Sequence, residues 1–234
     1  MTEVNHSVRR LSALRDGIGA TSYLEIGVQN GITFNAFDIA RKDAVDPKFN
    51  FDTDRFANEY VRFFEVSSDD FFLNFVGPTR YDLVFLDGLH TFEQTFRDFC
   101  ASLAHAKKST VWLIDDIMPV DIFSAHPNQH EAVNQRKGSG KTNKDWHGDV
   151  YKVVFAIHDF FPTLTFRTIQ TGGNPQLVVW TQPRGNFGPR FNNLETISRL
   201  DYFTLQKHLD LYNFGLEADV LAEVVASVTA LRSD

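Results

Sequence analysis

The chain has 234 residues, 43% of them hydrophobic and 23% charged, a balance that suits one compact core with appendages and excludes a disordered chain. A net charge of −7 argues against a polyanionic main partner, so no nucleic acid is expected, and the basic group Arg136, Lys137, Lys141 and Lys144 reads as a solvated loop. The single cysteine, Cys100, excludes an internal disulfide; residues 1–20 hold no signal-like apolar core and no stretch reaches membrane-span length, so a cytoplasmic protein with no membrane partner is expected.

Short apolar runs alternate with amphipathic stretches, the pattern of an α/β chain with a largely parallel, Rossmann-like sheet. Strands are predicted at residues 23–28, 43–45, 62–66, 83–86, 111–114, 164–169 and 177–180. Connecting helices fit between the first five, one of them over residues 91–105. The last two strands flank Thr171-Gly172-Gly173-Asn174-Pro175, a run of turn formers that predicts an antiparallel hairpin. The polar segment 126–146, with Gly138-Ser139-Gly140, reads as a mobile lid or a disordered loop. A Pro/Gly-rich linker follows residue 181, dividing a sheet domain (1–181) from a helical extension (182–234). Leu221, Val224, Val225, Val228 and Leu231 form one helical stripe in that extension. The stripe is expected to pack on the core, or on a second subunit in a homo-oligomer.

The sharpest local pattern is Tyr23-Leu24-Glu25-Ile26-Gly27-Val28-Gln29-Asn30-Gly31: a strand that runs into a turn with glycines four residues apart, then a helix. Glycine permits positive φ and close backbone approach, and helix-terminal amides suit a polar ligand. The spacing differs from Gly-x-Gly-x-x-Gly, so a pyrophosphate turn is the weaker match. Asp46 ends the second strand, where a carboxylate can accept both ribose hydroxyls, or cap a turn with Pro47. Ser67 and Ser68 end the third strand, near an adenine edge or as a helix N-cap. Their order along successive strand ends favours a nucleoside cofactor.

Asp87 ends the fourth strand, followed by His90, and Asp115-Asp116 end the fifth. Parallel neighbours bring the three carboxylates to one sheet edge, where they would repel unless a cation sat among them. Oxygen ligands favour Mg²⁺ over Zn²⁺. The His90 imidazole could take a hydroxyl proton, or be a structural histidine at a helix start. Trp146, His147, Asp149, Tyr151 and Lys152 could form an acceptor pocket; Asp149 as a helix N-cap and Tyr151 as core are the plain alternatives. The loop histidines His126, His130 and His147 could suggest a second metal, but their spacing is unremarkable and they read as solvent-exposed.

Leu-Glu-Ile-Gly, Val-Asp-Pro and Leu-Asp-Gly-Leu-His-Thr-Phe resemble class I S-adenosylmethionine (SAM)-dependent methyltransferases of the methyltransferase domain 24 group over about residues 20 to 181. The resemblance implies five parallel strands closed by a hairpin. It places Gly27 and Gly31 along the methionine of SAM, Asp46 on the ribose, Ser67 and Ser68 beside adenine, and Glu25 orienting the loop or the ammonium group. The Asp87–His90 segment is similar to that of Mg²⁺-dependent macrolide-sugar O-methyltransferases, which implies Asp87, Asp115 and Asp116 as metal ligands and His90 as general base. The chain departs from those enzymes in lacking their long amino-terminal extension and in its loop after the fifth strand. The expected reaction is methyl transfer to a small-molecule hydroxyl. A metal-independent N-methyltransferase and a non-catalytic SAM-binding regulator are the alternatives, and a nicotinamide dehydrogenase is a more distant one.

Overall fold

A computed structural model describes residues 5–143 and 145–233; Lys144 of the basic group lies outside the described residues. Eight strands form one sheet in the order β3-β2-β1-β4-β5-β7-β6-β8. They are β1 Ser22–Ile26, β2 Arg41–Asp46, β3 Val61–Glu65, β4 Tyr81–Leu86, β5 Ala106–Ile114, β6 Leu164–Ile169, β7 Gln176–Thr181 and β8 Phe214–Gly215. The first five are mutually parallel, and β7 runs antiparallel to both β5 and β6. All seven predicted strands are present. The eighth, two residues long, comes from the extension and pairs parallel to β6.

The central strands read as apolar runs because both faces are covered: every residue of β1 and β4 is buried. On one face pack α4 (Phe92–Leu103) and α6 (Lys152–Phe160), with α7 (Leu194–Ser198) and α8 (Tyr202–Lys207) beyond them. On the other pack α1 (His6–Ile18), α2 (Ile32–Ala36) and α9 (Glu217–Ser233). A short α3 (Ser68–Asp70) follows β3, and α5 (Gln129–Gly138) lies between β5 and α6. The pleat of β3 sends Phe63 into one core and its neighbour Phe64 into the other.

The segment 126–146 therefore contains a helix rather than an unstructured loop. Asn128 caps it by accepting the Glu131 amide, and Arg136, 1% exposed, anchors it to Asp121 and to the Asn143 and Asp145 carbonyls. The extension lies against the core. Val220, Val224 and Val228 are fully buried, while Leu221 and Val225 pack at the edge of the same cluster. Among the described residues, no helix is long and apolar enough to cross a membrane.

Candidate active site

Strand ends β1 to β4 open onto one cavity of about 850 Å³. The turn after β1 is shaped by Gly27 (φ +91°) and Gly31 (φ +71°). A Cβ on Gly27 would lie 1.9 Å from the Asp87 carbonyl oxygen, and one on Gly31 would meet the Asn35 amide and the Phe51 ring. Both glycines are thus required by the protein's own packing, in addition to any ligand's approach. Asp46 braces the turn: its Oδ2 accepts the Gln29 amide at 2.9 Å and its Oδ1 the Lys48 amide at 2.8 Å. A lone pair on each oxygen remains for a ribose. Glu25 also lines the cavity, and its Oε2 accepts the Tyr23 hydroxyl at 2.6 Å. Burial pushes its pKa up to about 8, against the pull of that hydrogen bond.

At the far end the two serines separate. Ser67 is an N-cap, accepting the Asp70 amide and donating to the Asp70 carboxylate. Ser68 is buried and accepts from Gln94 Nε2 at 3.0 Å. The same amide donates to Asp98, 2% exposed, whose pKa burial raises to about 6 while bonds from Ser68 and Gln94 oppose the rise. Gln94 and Asp98 were not legible as site residues. Their only signal is a pair of polar positions four apart on a helix whose neighbours are core.

The charged cluster assembles differently from the sequence expectation. Asp87, His90 and Asp116 place one ligand-type atom each within 4.8 Å of one another. His90 Nδ1 lies 3.0 Å from Asp116 Oδ2 and its Nε2 3.5 Å from Asp87 Oδ1. Burial alone would lower the His90 pKa, but hydrogen bonds to Asp116 and Asp87 and their charges lift it to about 11. Burial, together with the charge of Asp116, raises the Asp87 pKa to about 6 against the His90 bond. Both His90 and Asp116 have left-handed backbone, at φ +57° and +59°. Such strain in non-glycine residues clusters at functional sites. Trp146 stacks on the His90 ring at 4.9 Å, and a Cβ on Gly148 would lie 1.6 Å from the His90 carbonyl oxygen. The segment 146–148 thus clamps His90.

Asp115 is turned away from this group. Its Oδ1 accepts the Asn174 side-chain amide at 2.6 Å and its Oδ2 that of Gln176 at 2.9 Å, both from the β6–β7 hairpin. Its pKa is raised by burial and by the charges of Asp87 and Asp116. Of the three carboxylates expected to hold Mg²⁺, Asp87 and Asp116 fall within 4.8 Å of each other together with His90, and Asp115 lies outside that group.

Of the five residues expected to form the acceptor pocket, Trp146 alone lines the cofactor cavity. Asp149 accepts the Phe92 amide at 2.7 Å, capping α4 rather than its own helix, and pairs with Lys152 at 2.8 Å. The Tyr151 hydroxyl donates to the Leu200 carbonyl. Those three line a separate cavity of about 310 Å³. His147 is buried, not exposed, with Nε2 3.9 Å from Asp116 Oδ1. The cavity mouth is completed by Gln129 at the start of α5 and by Asn5, Ile32 and Leu89.

The model of the family described as a methyltransferase domain, Methyltransf_24, matches residues 17–117. No curated protein sequence matches the chain. An O-methyltransferase from Bacillus cereus, solved in complex with S-adenosylhomocysteine (SAH), is similar with a TM-score of 0.53 at 14% identity, covering 75% of this chain and 80% of that one. The SAH-bound methyltransferase PaMTH1 of Podospora anserina gives a TM-score of 0.55 at 12% identity, over 75% and 77% of the two chains. At these identities the structural likeness speaks to the fold, and it agrees with the family match. Residues 17–117 thus match the methyltransferase domain family, and the chain shares the fold of these SAH-bound methyltransferases.

Proposed function

We propose that the protein transfers the SAM methyl group to a hydroxyl of a small molecule, sugar-like or natural-product-like. The observation that carries this reading is the Asp87–His90–Asp116 cluster, of which Asp87 and His90 line the same cavity as the glycine turn and Asp46. Asp46 would hold the ribose, Glu25 the methionine end, and Ser68 with Asp98 the adenine end. The methyl carbon would then face His90 beneath Trp146.

The acceptor oxygen attacks in line; its bond to carbon forms as the carbon–sulfur bond breaks, and the electron pair leaves on sulfur to give SAH. The protein's part is positioning, exclusion of water and removal of the hydroxyl proton. We assign that proton to His90 Nε2, the nitrogen facing Asp87. The two carboxylates keep this imidazole protonated at neutral pH, so the reactive form is its deprotonated fraction. That resting charge also favours a second reading, methylation of a neutral amine, which needs no base.

Calorimetric titration with SAM, SAH and NAD tests the cofactor; binding of SAM and SAH in preference to NAD is expected. Tight NAD binding with no response to SAM would overturn the reading. Incubation with methyl-labelled SAM and a panel of hydroxyl and amine acceptors then separates the two chemistries by the atom labelled.

A further inference from the structure

We propose that the second cavity, of about 310 Å³, is a ligand site in its own right: it takes a neutral ring that carries one oxygen, and its occupant is sensed at His90. The sensing rests on the reading of His90 as part of the methyl-transfer centre; the binding does not.

The cavity lies where two stretches far apart in sequence face each other. Ile122, Ala125 and Pro127 come from the connection between β5 and α5; Leu200, Tyr202 and Phe203 come from the α7–α8 turn and the first residues of α8. Ile122 is 44% exposed and Phe203 59%, so a large apolar side chain from each stretch stays solvated around one concavity. Apolar surface left open in this way marks a binding site, and the volume, at the lower end for small molecules, suits a single ring. The floor is fixed in advance. The Tyr151 hydroxyl donates to the Leu200 carbonyl at 2.9 Å, and Lys152 Nζ donates to Asp149 Oδ2 at 2.8 Å and to the Ser198 carbonyl at 2.7 Å.

The chemistry of the lining selects the ligand. An ammonium has three N–H donors, and the bonds of Lys152 use two of them. The third is left for an oxygen on the occupant, offered by a side chain only 9% exposed. Two carboxylates, Asp149 and Asp201, line the cavity against that one lysine, so an anion is repelled. Apolar walls with a single spare donor fit a phenol or a cyclic ketone. A sugar would bury several hydroxyls there without partners.

The two cavities share no lining residue. Between them the Trp146 indole N–H donates to the His126 carbonyl at 2.7 Å, with Trp146 lining the first cavity and His126 the second. The occupant is therefore a separate molecule from the methyl acceptor. Segment 146–149 nevertheless reaches both sides. Trp146 stacks on His90, Gly148 packs against the His90 carbonyl, and Asp149 Oδ1 accepts the amide of Phe92, two residues beyond His90. A ring that presses on His126 or Asp149 thus shifts the groups that clamp His90.

The test uses the full chain and 4-fluorophenol, followed by ¹⁹F NMR with and without saturating SAH. We expect one equivalent to bind with a Kd of about a millimolar in both conditions. Fluorobenzene, which lacks the oxygen, and 4-fluorobenzoate, which is charged, should each bind about tenfold more weakly. Phe203→Ser at the rim should weaken 4-fluorophenol by about tenfold while SAH affinity stays unchanged. Ala125→Phe, which fills the cavity, should abolish binding; Phe203→Ser carries the test should that variant fail to fold. Trp112 and Trp180 are buried, at 1% and 0% exposed, so a change in tryptophan fluorescence on binding reads Trp146. Displacement of 4-fluorophenol by SAH would overturn the site, as would an affinity unchanged in Phe203→Ser or a preference for 4-fluorobenzoate. Labelled methyl passed from SAM to 4-fluorophenol would make the ring an acceptor and end its separateness. Binding with constant fluorescence would overturn the sensing at His90. Failure of SAH to bind, with 4-fluorophenol still bound, strikes the cofactor reading alone.

Discussion

Glu25, 2% exposed at the edge of the cavity, has a pKa of about 8 against an ordinary 4.5, because burial disfavours its charged form. A folded value above the unfolded one means that the native state binds this proton more tightly. The resulting stability is fully present below about pH 4.5 and is lost as pH rises through about 8. Glu25→Gln can keep the Tyr23 contact and removes the titration. Its melting temperature should vary less with pH, and it should exceed the wild type at about pH 9. Parallel melting curves for the two proteins across that range would show that Glu25 titrates normally. His90 gives the second test at this scale. His90→Ala should slow single-turnover transfer by about a hundredfold with SAM affinity nearly unchanged. In the metal-free wild type, that rate should climb about tenfold per pH unit from neutrality towards the His90 pKa near 11. A flat profile would remove the imidazole from proton transfer.

At the scale of elements, the legible and the illegible parts differ for physical reasons. Strands β1 and β4 show as unbroken apolar runs because they are covered on both faces, and the β6–β7 hairpin is marked by its turn residues. Helix α5, sequence QHEAVNQRKG, gives almost no periodic signal, since Ala132 and Arg136 are its only buried residues. Its position comes from an N-cap and one buried guanidinium, neither of which leaves an apolar stripe. Asp115 and Asp116 were read together because they are adjacent. The left-handed backbone of Asp116 turns its carboxylate toward His90, while Asp115 meets the hairpin, and sequence spacing does not encode that turn. Ser67 and Ser68 divide in the same way at the start of α3. Arg136 yields the prediction here: Arg136→Ala should release α5, at a local cost on the order of 3 kcal/mol. Limited proteolysis within residues 129–143 should accelerate while the main thermal transition moves little. Equal cleavage rates would show that the helix is held by other contacts.

Across the whole molecule, two apolar cores lie on opposite faces of one sheet, and α9 closes one of them. Arg10, 0% exposed, pairs with Glu217 at the start of α9 and also donates to Gln176 and the Asn174 carbonyl. The side-chain amides of the same two residues hold Asp115, so the packing of α1 and α9 is linked to the charged cluster. A chain ended after Leu216 would lose Val220, Val224 and Val228, each worth about 1.5–3 kcal/mol of burial, and would leave Arg10 without its carboxylate. That truncation should abolish the cooperative thermal transition, followed by circular dichroism. A sharp melt near the wild-type temperature would make residues 217–234 dispensable to the sheet.

The Arg10–Glu217 pair spans 207 positions of sequence. On the ribosome, α1 emerges long before α9, and its buried guanidinium must wait for that intervening stretch before it meets its counter-charge. Non-local closure of this kind delays folding, because the loop entropy is lost before the contact rewards it. Until then the face of the sheet beneath α9 is open and apolar. The nascent chain is thus most exposed to aggregation during the interval between synthesis of β7 and synthesis of α9.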